Sequence, residues 1–441
     1  MRQLAALLAV GCVGGAGLAA GADAPPTYHA RVSRILQAHC QECHRPGQVA
    51  PFALLTYDQA RKRADDLARV VGEKVMPPWH PSTAEGVALR DPRVLPADDV
   101  ATLVAWAEAG APEGNPADAP PAREFPADWP LGPPDLVLQP AEAYPLAASG
   151  DDEFRVFVLP TGLTEGRWIQ AVDFRPGSRA VVHHILAAYE TKGRARKLDA
   201  ADAAPGYATF GGYRLWPEGE LDGWAPGKAP HRLGDGMARY LPPNADLLLQ
   251  VHYHKTGKPE RDATAVGLYF SKVPVAKQLR ATGVLPPSSG VLSFTPKLAI
   301  PPGAADHEVR GTQTIGSDIH VVAVIPHMHW LGKDFRLTAT MPDGKQTTLI
   351  RIDRWDFNWQ GTYDLAEPLA LPKGTRLDMV AHFDNSASNP SNPSKPPVLV
   401  KWGEQTADEM CIGFLHYTRD REHLDDKPPA RSLDPLADWR P

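Results

Sequence analysis

The stretch VIPHMHWLGK, residues 324–333, places His327 and His329 two residues apart inside a run that otherwise has the composition of a buried β-strand. Side chains alternate between the two faces of a strand, so both imidazoles are expected to point the same way. Two imidazoles on one face can chelate a single metal ion. The alternative for an isolated pair of this kind is two hydrogen-bonded histidines in the core.

The same half of the chain contains two further histidine pairs in apolar runs, His183–His184 in VVHHI and His252/His254 in LLLQVHYH. Burying so many imidazoles is costly unless each is hydrogen-bonded or metal-bound, which favours metal sites over core packing. Adjacent residues of a regular strand face opposite ways. His183 and His184 can therefore share a metal ion only at a strand end or a β-bulge. His254 shares a face with His252 and competes with it.

Met410, in QTADEMCIGFLHY, offers a ligand of a different chemical type. Imidazole suits copper, zinc, iron and nickel, whereas a thioether among the ligands favours copper because soft sulfur stabilises Cu(I). The alternative for Met410 is a position in the core.

The segment CQECH, with Cys40, Cys43 and His44, has the spacing typical of covalent c-type haem attachment. Two thiols three residues apart add to the haem vinyl groups, and His44 then reaches the iron. A redox CxxC pair or half of a zinc site would not use the following histidine, and the sequence has no second cysteine pair to complete a zinc site.

The predicted sixth ligand of the haem iron is Met76, in the proline-rich loop VMPPWHP, with His80 and His39 as competitors. Ligation by histidine and methionine raises the haem potential and suits electron transfer.

The elements that must position these residues change character along the chain. Helical spacing of apolar residues predicts a small all-α domain at 25–111, which with its CQECH motif resembles a cytochrome c, and eight prolines predict an extended linker at 112–135. Strand-forming runs between Gly, Pro and Asp turns predict two all-β antiparallel domains, sandwiches or barrels, at 136–290 and 291–425, before a tail at 426–441.

The first 24 residues have the pattern of an export signal, with Arg2 before an apolar run and small residues at its end. We therefore expect a periplasmic or secreted protein, with Cys12 as an alternative lipidation site. No other stretch approaches the length of a membrane span. The net charge of -6 and the absence of blocks of like charge argue against a nucleic-acid partner.

In their order and spacing, VVHHI, LLLQVHYH, PHMHWLGK and ADEMCIGFLHY resemble the copper type II, ascorbate-dependent monooxygenases, which include the peptidylglycine α-hydroxylating and dopamine β-monooxygenases. The resemblance covers roughly residues 136–420. It implies two jelly-roll sandwiches that each hold one copper ion. Fusion to a cytochrome c domain resembles bacterial members of the family.

The resemblance also implies a set of copper ligands, in which the first ion stores and delivers an electron and the second meets dioxygen and substrate. These ligands are His183, His184 and His252 for the first ion, and His327, His329 and Met410 for the second.

The predicted function is hydroxylation of a C–H bond of a small organic substrate with O2, with two copper ions and one covalent haem c as cofactors. Electrons would come through the haem or from an ascorbate-like reductant. We hypothesise that the haem relays them to the first copper ion, because the short linker keeps it at a high effective concentration. The alternatives are a haem–copper electron-transfer or copper-binding protein without oxygenase activity, and a binding sandwich with structural histidines.

Three positions depart from the peptide-hydroxylating members that the chain resembles. Ile325 stands where they have an arginine, and Ile412 and Phe414 stand where they have an asparagine and a tyrosine. These departures predict that the substrate is a small molecule that is neutral or has an apolar edge, rather than a glycine-extended peptide. Cys411 lacks the disulfide partner of its family counterpart and is expected to be a buried free thiol.

Overall fold

The computed structural model describes residues 24–125, 129–209, 212–234, 236–290, 293–403, 405–425, 427 and 439–440. Apart from residue 24, the predicted export signal with Cys12 lies outside the described residues, as does most of the predicted tail. No helix in the described ranges combines the length and apolarity that crossing a membrane requires. The described chain is mostly β-sheet with few helices, which confirms the β-sandwich expectation.

Helices supply the regular structure at the N-terminal end, where apolar spacing predicts them. They are a π-helical turn (Tyr28–Val32), α1 (Ser33–His39), α2 (Tyr57–Arg61), α3 (Ala64–Gly72), α4 (Ala97–Glu108) and a 3-10 turn (Pro116–Asp118). Their apolar faces pack around the buried side chains of Leu36, Leu103 and Trp106. A capping box formed by Thr56 and Gln59 begins α2.

The first sandwich contains twelve named strands within the described residues. They are β1 (Leu136–Leu138), β2 (Tyr144–Leu146), β3 (Glu153–Pro160), β4 (Arg167–Arg175), β5 (Val182–Glu190), β6 (Tyr207–Thr209), β7 (Gly219–Trp224), β8 (Met237–Leu241), β9 (Asp246–Tyr253), β10 (Glu260–Asp262), β11 (Ala265–Phe270) and β12 (Lys277–Gln278). One sheet has the order β1-β11-β4-β8-β12 and the other β6-β3-β9-β5-β7, while β10 pairs with β2. Ile169, Ile185 and Leu268 belong to the core that the two sheets share.

A short helix, α5 (Arg194–Ala200), lies in the first sandwich, where the sequence suggests only strands and turns. Ala195 of α5 packs with Val156 and Leu248 in a small cluster apart from the main core. This cover explains why β9, with the sequence DLLLQVHY, is buried along its whole length rather than at alternate residues.

The second sandwich follows directly. Its strands are β13 (Arg280–Val284), β14 (Ser288–Gly290), β15 (Ser293–Pro296), β16 (Ala299–Ile300), β17 (His307–Ile315), β18 (Ile319–Met328), β19 (Gly332–Thr340), β20 (Gln346–Ile352), β21 (Tyr363–Leu371), β22 (Arg376–Phe383), β23 (Val400–Lys401), β24 (Cys411–Arg419) and β25 (Trp439–Arg440). The main sheets have the orders β20-β19-β22-β17-β25 and β13-β24-β18-β21, and they enclose a core that includes Val324, Phe335 and Leu377. Cys411 is a free, buried thiol in this core, as the sequence predicts.

The change from one sandwich to the other comes earlier than the predicted boundary at 290. Strand β13 already pairs with β24 of the second sandwich, with Val284 opposite Gly413. The strong turn signal nearby, PPSSG at residues 286–290, follows β13 instead of preceding it, so only the long-range pairing with β24 assigns β13 to the second sandwich.

Residues 79–90 connect the N-terminal helical unit, residues 28–118, to the second sandwich. Isolated bridges join Pro81 to Ile352 and Leu89 to Leu365, so the segment lies along β20 and β21, which are edge strands of the two main sheets. Edge strands expose unpaired backbone groups, and this segment covers some of them. This segment therefore places the helical unit in contact with the second sandwich.

Candidate functional site

The first histidine cluster forms where β5 begins and β9 ends. His184 lies directly opposite His252, and the strand register shifts between Val182 and His184. This shift is the β-bulge that two adjacent histidines need in order to face one metal ion. The structure brings His183, His184 and His252 together, with one nitrogen of each ring within 4.8 Å of the others.

The spacing of the facing nitrogens fits a single metal ion. Nδ1 of His184 lies 3.3 Å from Nδ1 of His183 and 3.3 Å from Nδ1 of His252. Two nitrogens bound to one ion at about 2.0–2.1 Å with near-tetrahedral angles are separated by a similar distance. The cluster can therefore hold an ion that favours imidazole, such as copper or zinc, without a large backbone movement.

Asp152 orients the first cluster. Its Oδ2 lies 2.9 Å from Nε2 of His252, and its Oδ1 lies 2.9 Å from Nδ1 of His254. Donation from Nε2–H to the carboxylate leaves the lone pair of His252 on Nδ1, which faces the other two rings. His252 is 2% exposed, whereas the side chain of His254 is 68% exposed. The geometry therefore favours His252 over His254 as a ligand.

The second cluster forms where β18 ends and β24 begins. Met328 at the end of β18 pairs with Cys411 at the start of β24, so His329 and Met410 are neighbours just beyond the paired strand ends. The ring centroids of His327 and His329 are 5.2 Å apart, with an interplanar angle of 82°. The structure thus brings the three residues that the sequence singles out to one end of one strand pair.

Hydrogen bonds select the tautomer of both rings in the second cluster. Nδ1 of His327 hydrogen-bonds to Oε1 of Gln360, and Nδ1 of His329 lies 3.1 Å from the backbone oxygen of Asp408. Because Nδ1–H is the donor in each contact, Nε2 carries the lone pair that a metal ion needs. The first cluster uses the opposite nitrogen. Neither Gln360 nor Asp408 could be found from local sequence, since their roles depend on tertiary contacts.

Burial keeps these imidazoles neutral. Desolvation, together with the nearby imidazoles, lowers the pKa of His183 and of His327 to about 3. Desolvation lowers the pKa of His329 to about 4, although backbone carbonyl contacts oppose the shift. The pKa of His184 falls well below its ordinary value for the same reason, burial followed by neighbouring imidazoles. Since metal ions bind the neutral form, these rings are ready to act as ligands at neutral pH.

Glu409 ties His329 to Met410 and was not foreseen from the sequence. Its Oε2 accepts from the backbone N–H of His329 at 2.8 Å and of Met410 at 3.1 Å, and its Oε1 accepts from Leu331 N–H at 2.7 Å. The side chain is fully buried, and this burial raises the pKa of Glu409 to about 8. The sequence signal for this role is the acidic residue directly before Met410.

The CQECH motif folds into a single turn, as attachment of the predicted haem would require. Cys40 and Cys43 are free, partly exposed thiols on one turn, in which the N–H of Cys43 and of His44 both donate to the oxygen of Cys40, at 3.2 and 2.9 Å. Nδ1 of His44 lies 3.2 Å from the backbone oxygen of Phe52, so Nε2 is the nitrogen that can bind iron. These residues fit a c-type haem.

Met76 and His80 both remain candidates for the sixth iron ligand. Met76 is half-buried in the loop after α3. His80 has a buried Nδ1 without a hydrogen-bond partner in the described structure, and its ring centroid lies 6.0 Å from that of Trp355. His39 instead lies 3.7 Å from the carboxylate of Asp99, a contact that competes with iron binding.

Comparison with known proteins bears most directly on the second sandwich. Residues 288–432 match the family model for the copper type II ascorbate-dependent monooxygenase, C-terminal domain. The chain is 27% identical over 183 residues to DBH-like monooxygenase protein 1 of Gallus gallus, which covers 39% of this chain and 28% of that protein. The Mus musculus protein of the same name is 27% identical over 200 residues, covering 43% of this chain and 30% of its own length. Both findings support the copper type II, ascorbate-dependent monooxygenase family.

The matched part of the chain thus spans less than a third of these relatives. The family match includes the second cluster, whereas the first cluster and the helical unit lie outside residues 288–432. Among solved structures, the VP2 subviral particle of infectious bursal disease virus aligns with 67% of this chain and 74% of its own, at a TM-score of 0.16 and 9% identity. That score is too low for a fold assignment.

Replacing Asp152 with Asn is expected to weaken copper binding at the first cluster by about 10–100-fold, because the carboxylate orients His252 and raises its basicity. Competition against a copper chelator of known affinity measures the change. The matched control is Asp420→Asn, which alters the carboxylate partner of His320 outside both clusters and should leave the affinity unchanged. Equal affinity in the wild type and Asp152→Asn would contradict the orienting role.

Replacing Glu409 with Ala is expected to lower the free energy of unfolding by on the order of 3 kcal/mol, because buried N–H groups lose their acceptor at about 1–3 kcal/mol each. Glu409→Gln keeps one acceptor oxygen and should recover part of the loss. Urea unfolding followed by tryptophan fluorescence measures both, with Glu367→Ala as the control, since Glu367 is exposed on β21. A stability unchanged within about 0.5 kcal/mol in Glu409→Ala would refute this role.

Proposed function

We propose that this chain is a copper-dependent monooxygenase that hydroxylates a C–H bond of a small organic substrate with O2. The observation that carries the proposal is the pair of neighbouring histidine clusters, the second of which, with Met410, falls inside the segment that matches the copper monooxygenase family. Copper ions bound there would supply the redox chemistry and the dioxygen binding that hydroxylation needs.

We propose as copper ligands His183, His184 and His252 in the first cluster, and His327, His329 and Met410 in the second. The thioether of Met410 supports copper over zinc, because soft sulfur favours Cu(I). Asp152 and Glu409 act as positioning residues: Asp152 orients a ring, and Glu409 holds the backbone of His329 and Met410. Burial of the rings excludes water and keeps them unprotonated.

We also propose that Cys40 and Cys43 attach a c-type haem, with His44 and Met76 as its iron ligands and His80 as the competitor of Met76. Covalent attachment of this kind fits the predicted export to the periplasm or the exterior. The haem or an ascorbate-like reductant would be the source of electrons.

The entry point of these electrons has two candidates. The sequence suggests a relay from the haem to the first copper ion. The contacts of the helical unit support the second cluster as well, since His80 packs against Trp355, and Nε1 of Trp355 donates to the backbone oxygen of His329 at 3.0 Å.

The side chains beside the second cluster support a neutral or apolar-edged substrate. In the antiparallel pair of β18 and β24, Ile325 lies opposite Phe414 and His327 lies opposite Ile412. Opposed residues project from the same face, and residues two apart on a strand share a face, so these apolar side chains adjoin His327. None of the three apolar residues can pair with a carboxylate, so a peptide with a C-terminal glycine is not the expected substrate.

Oxygen incorporation tests the proposal. Copper-loaded, haem-containing protein is reduced with ascorbate and mixed with 18O2 and a panel of neutral aromatic and aliphatic compounds. We expect one 18O atom in the product of an apolar compound, and loss of that product in His327→Ala. The control is His320→Ala, on the same strand but bonded to Asp420 outside the cluster.

Copper binding without 18O product across the panel would contradict the proposal and favour an electron-transfer or copper-binding protein. Hydroxylation confined to C-terminal glycine peptides would refute the substrate class alone.

A further inference from the structure

One aromatic side chain touches both histidine clusters. Phe357 lies in the loop between β20 and β21 and is 7% exposed. Its ring stacks on that of His183 in the first cluster, with a centroid distance of 5.3 Å and an interplanar angle of 18°. The same ring meets His329 of the second cluster edge-on, at 5.7 Å and 76°. These two distances limit how far apart the clusters can be.

The second cluster holds Phe357 in place. The Nε2 of Gln360 donates to the backbone oxygen of Phe357 at 3.2 Å, while Oε1 of Gln360 accepts from His327. Two residues before Phe357, the indole of Trp355 donates to the backbone oxygen of His329. The loop is therefore tied to both histidines of the second cluster, and Phe357 extends from it to the first.

A polar contact joins the clusters beside this ring. Oγ1 of Thr406 donates to Oδ2 of Asp152 at 3.4 Å. Thr406 lies in the loop that leads to Met410, and Asp152 is the hydrogen-bond partner of His252. The first and second sandwiches thus meet through a polar and an aromatic contact between the same two clusters.

We propose that Phe357 is the positioning residue that sets the distance between the two copper sites and keeps water out of the space between them, so that an electron crosses through these ring contacts. The inference rests on the proposed function. The step would move one electron from Cu(I) held by His183, His184 and His252 to Cu(II) held by His327, His329 and Met410. It would form or break no bond and transfer no proton.

The size and apolar character of Phe357 suit this role. Protein interiors are close-packed, so a rigid ring between two imidazoles fixes their separation. A smaller side chain would leave a space bordered by imidazole nitrogens, which supply the polar partners that a buried water needs. Tyrosine would keep the ring and its contacts, whereas leucine and alanine would not.

Continuous-wave EPR of the oxidised, copper-loaded protein reports short Cu(II)–Cu(II) separations through dipolar splitting and the half-field transition. We expect the same splitting and half-field intensity in the wild type and in Phe357→Tyr. In Phe357→Leu and Phe357→Ala we expect both copper ions to remain bound, the splitting to broaden, the half-field intensity to change, and copper reoxidation in a single turnover to slow. The matched control is Phe157→Leu, since Phe157 is 2% exposed and packs on Tyr144 in the first core. Unchanged splitting and half-field intensity in Phe357→Ala with both ions bound would overturn the proposal.

Metal-free protein separates failure of this inference from failure of the proposed function. With 13C-labelled histidine, the ring signals of His183 and His329 are expected to shift together in Phe357→Leu and to stay in place in Phe157→Leu. If they do so while the wild type binds fewer than two copper ions, the proposed function fails and the position of Phe357 stands. If neither ring responds, Phe357 does not link the clusters and the inference is wrong.

Discussion

Burial of several imidazoles in two neighbouring clusters is the constraint on which the rest of this structure depends. A buried imidazole avoids charge, so its pKa falls and it stays neutral. A neutral imidazole has one donor and one acceptor nitrogen, and the hydrogen bond at one nitrogen decides which atom can bind a metal. Oxygen atoms make that choice for three of the rings: the carboxylate of Asp152 for His252 in the first cluster, and the amide of Gln360 and the carbonyl of Asp408 for His327 and His329 in the second.

Strand pairing places the imidazole rings beside these hydrogen-bond acceptors. A bulge at the start of β5 lets adjacent histidines share a side with His252, and the paired ends of β18 and β24 place His329 beside Met410. The buried carboxylate of Glu409 then bonds both backbones and fixes this second junction. Phe357 contacts a ring of each cluster, so the packing of the two sandwiches also sets the relative position of the two sites.

Local pattern was enough to predict the N-terminal helices, the predominance of strands in the rest of the chain and the histidine pairs, because spacing along the chain determines which residues share a face. Helix α5 was not predicted. A bulge was expected if His183 and His184 share one metal ion, since adjacent residues of a regular strand cannot face one ion. The orienting residues could not be foreseen, because Asp152 lies a hundred residues from His252 and Gln360 lies 33 residues from His327. Long-range pairing also explains why the start of the second sandwich at β13 was not predicted, because β13 pairs with β24 near the other end of the chain.

The number of copper ions per chain in copper-reconstituted protein tests the central claim most directly, because metal analysis against protein concentration counts copper whether or not the proposed haem is attached. We expect two copper ions per chain in the wild type, falling toward one in His184→Ala and, separately, in His327→Ala. A number that stays near zero after copper loading would contradict this claim, and so would two ions per chain that neither substitution lowers.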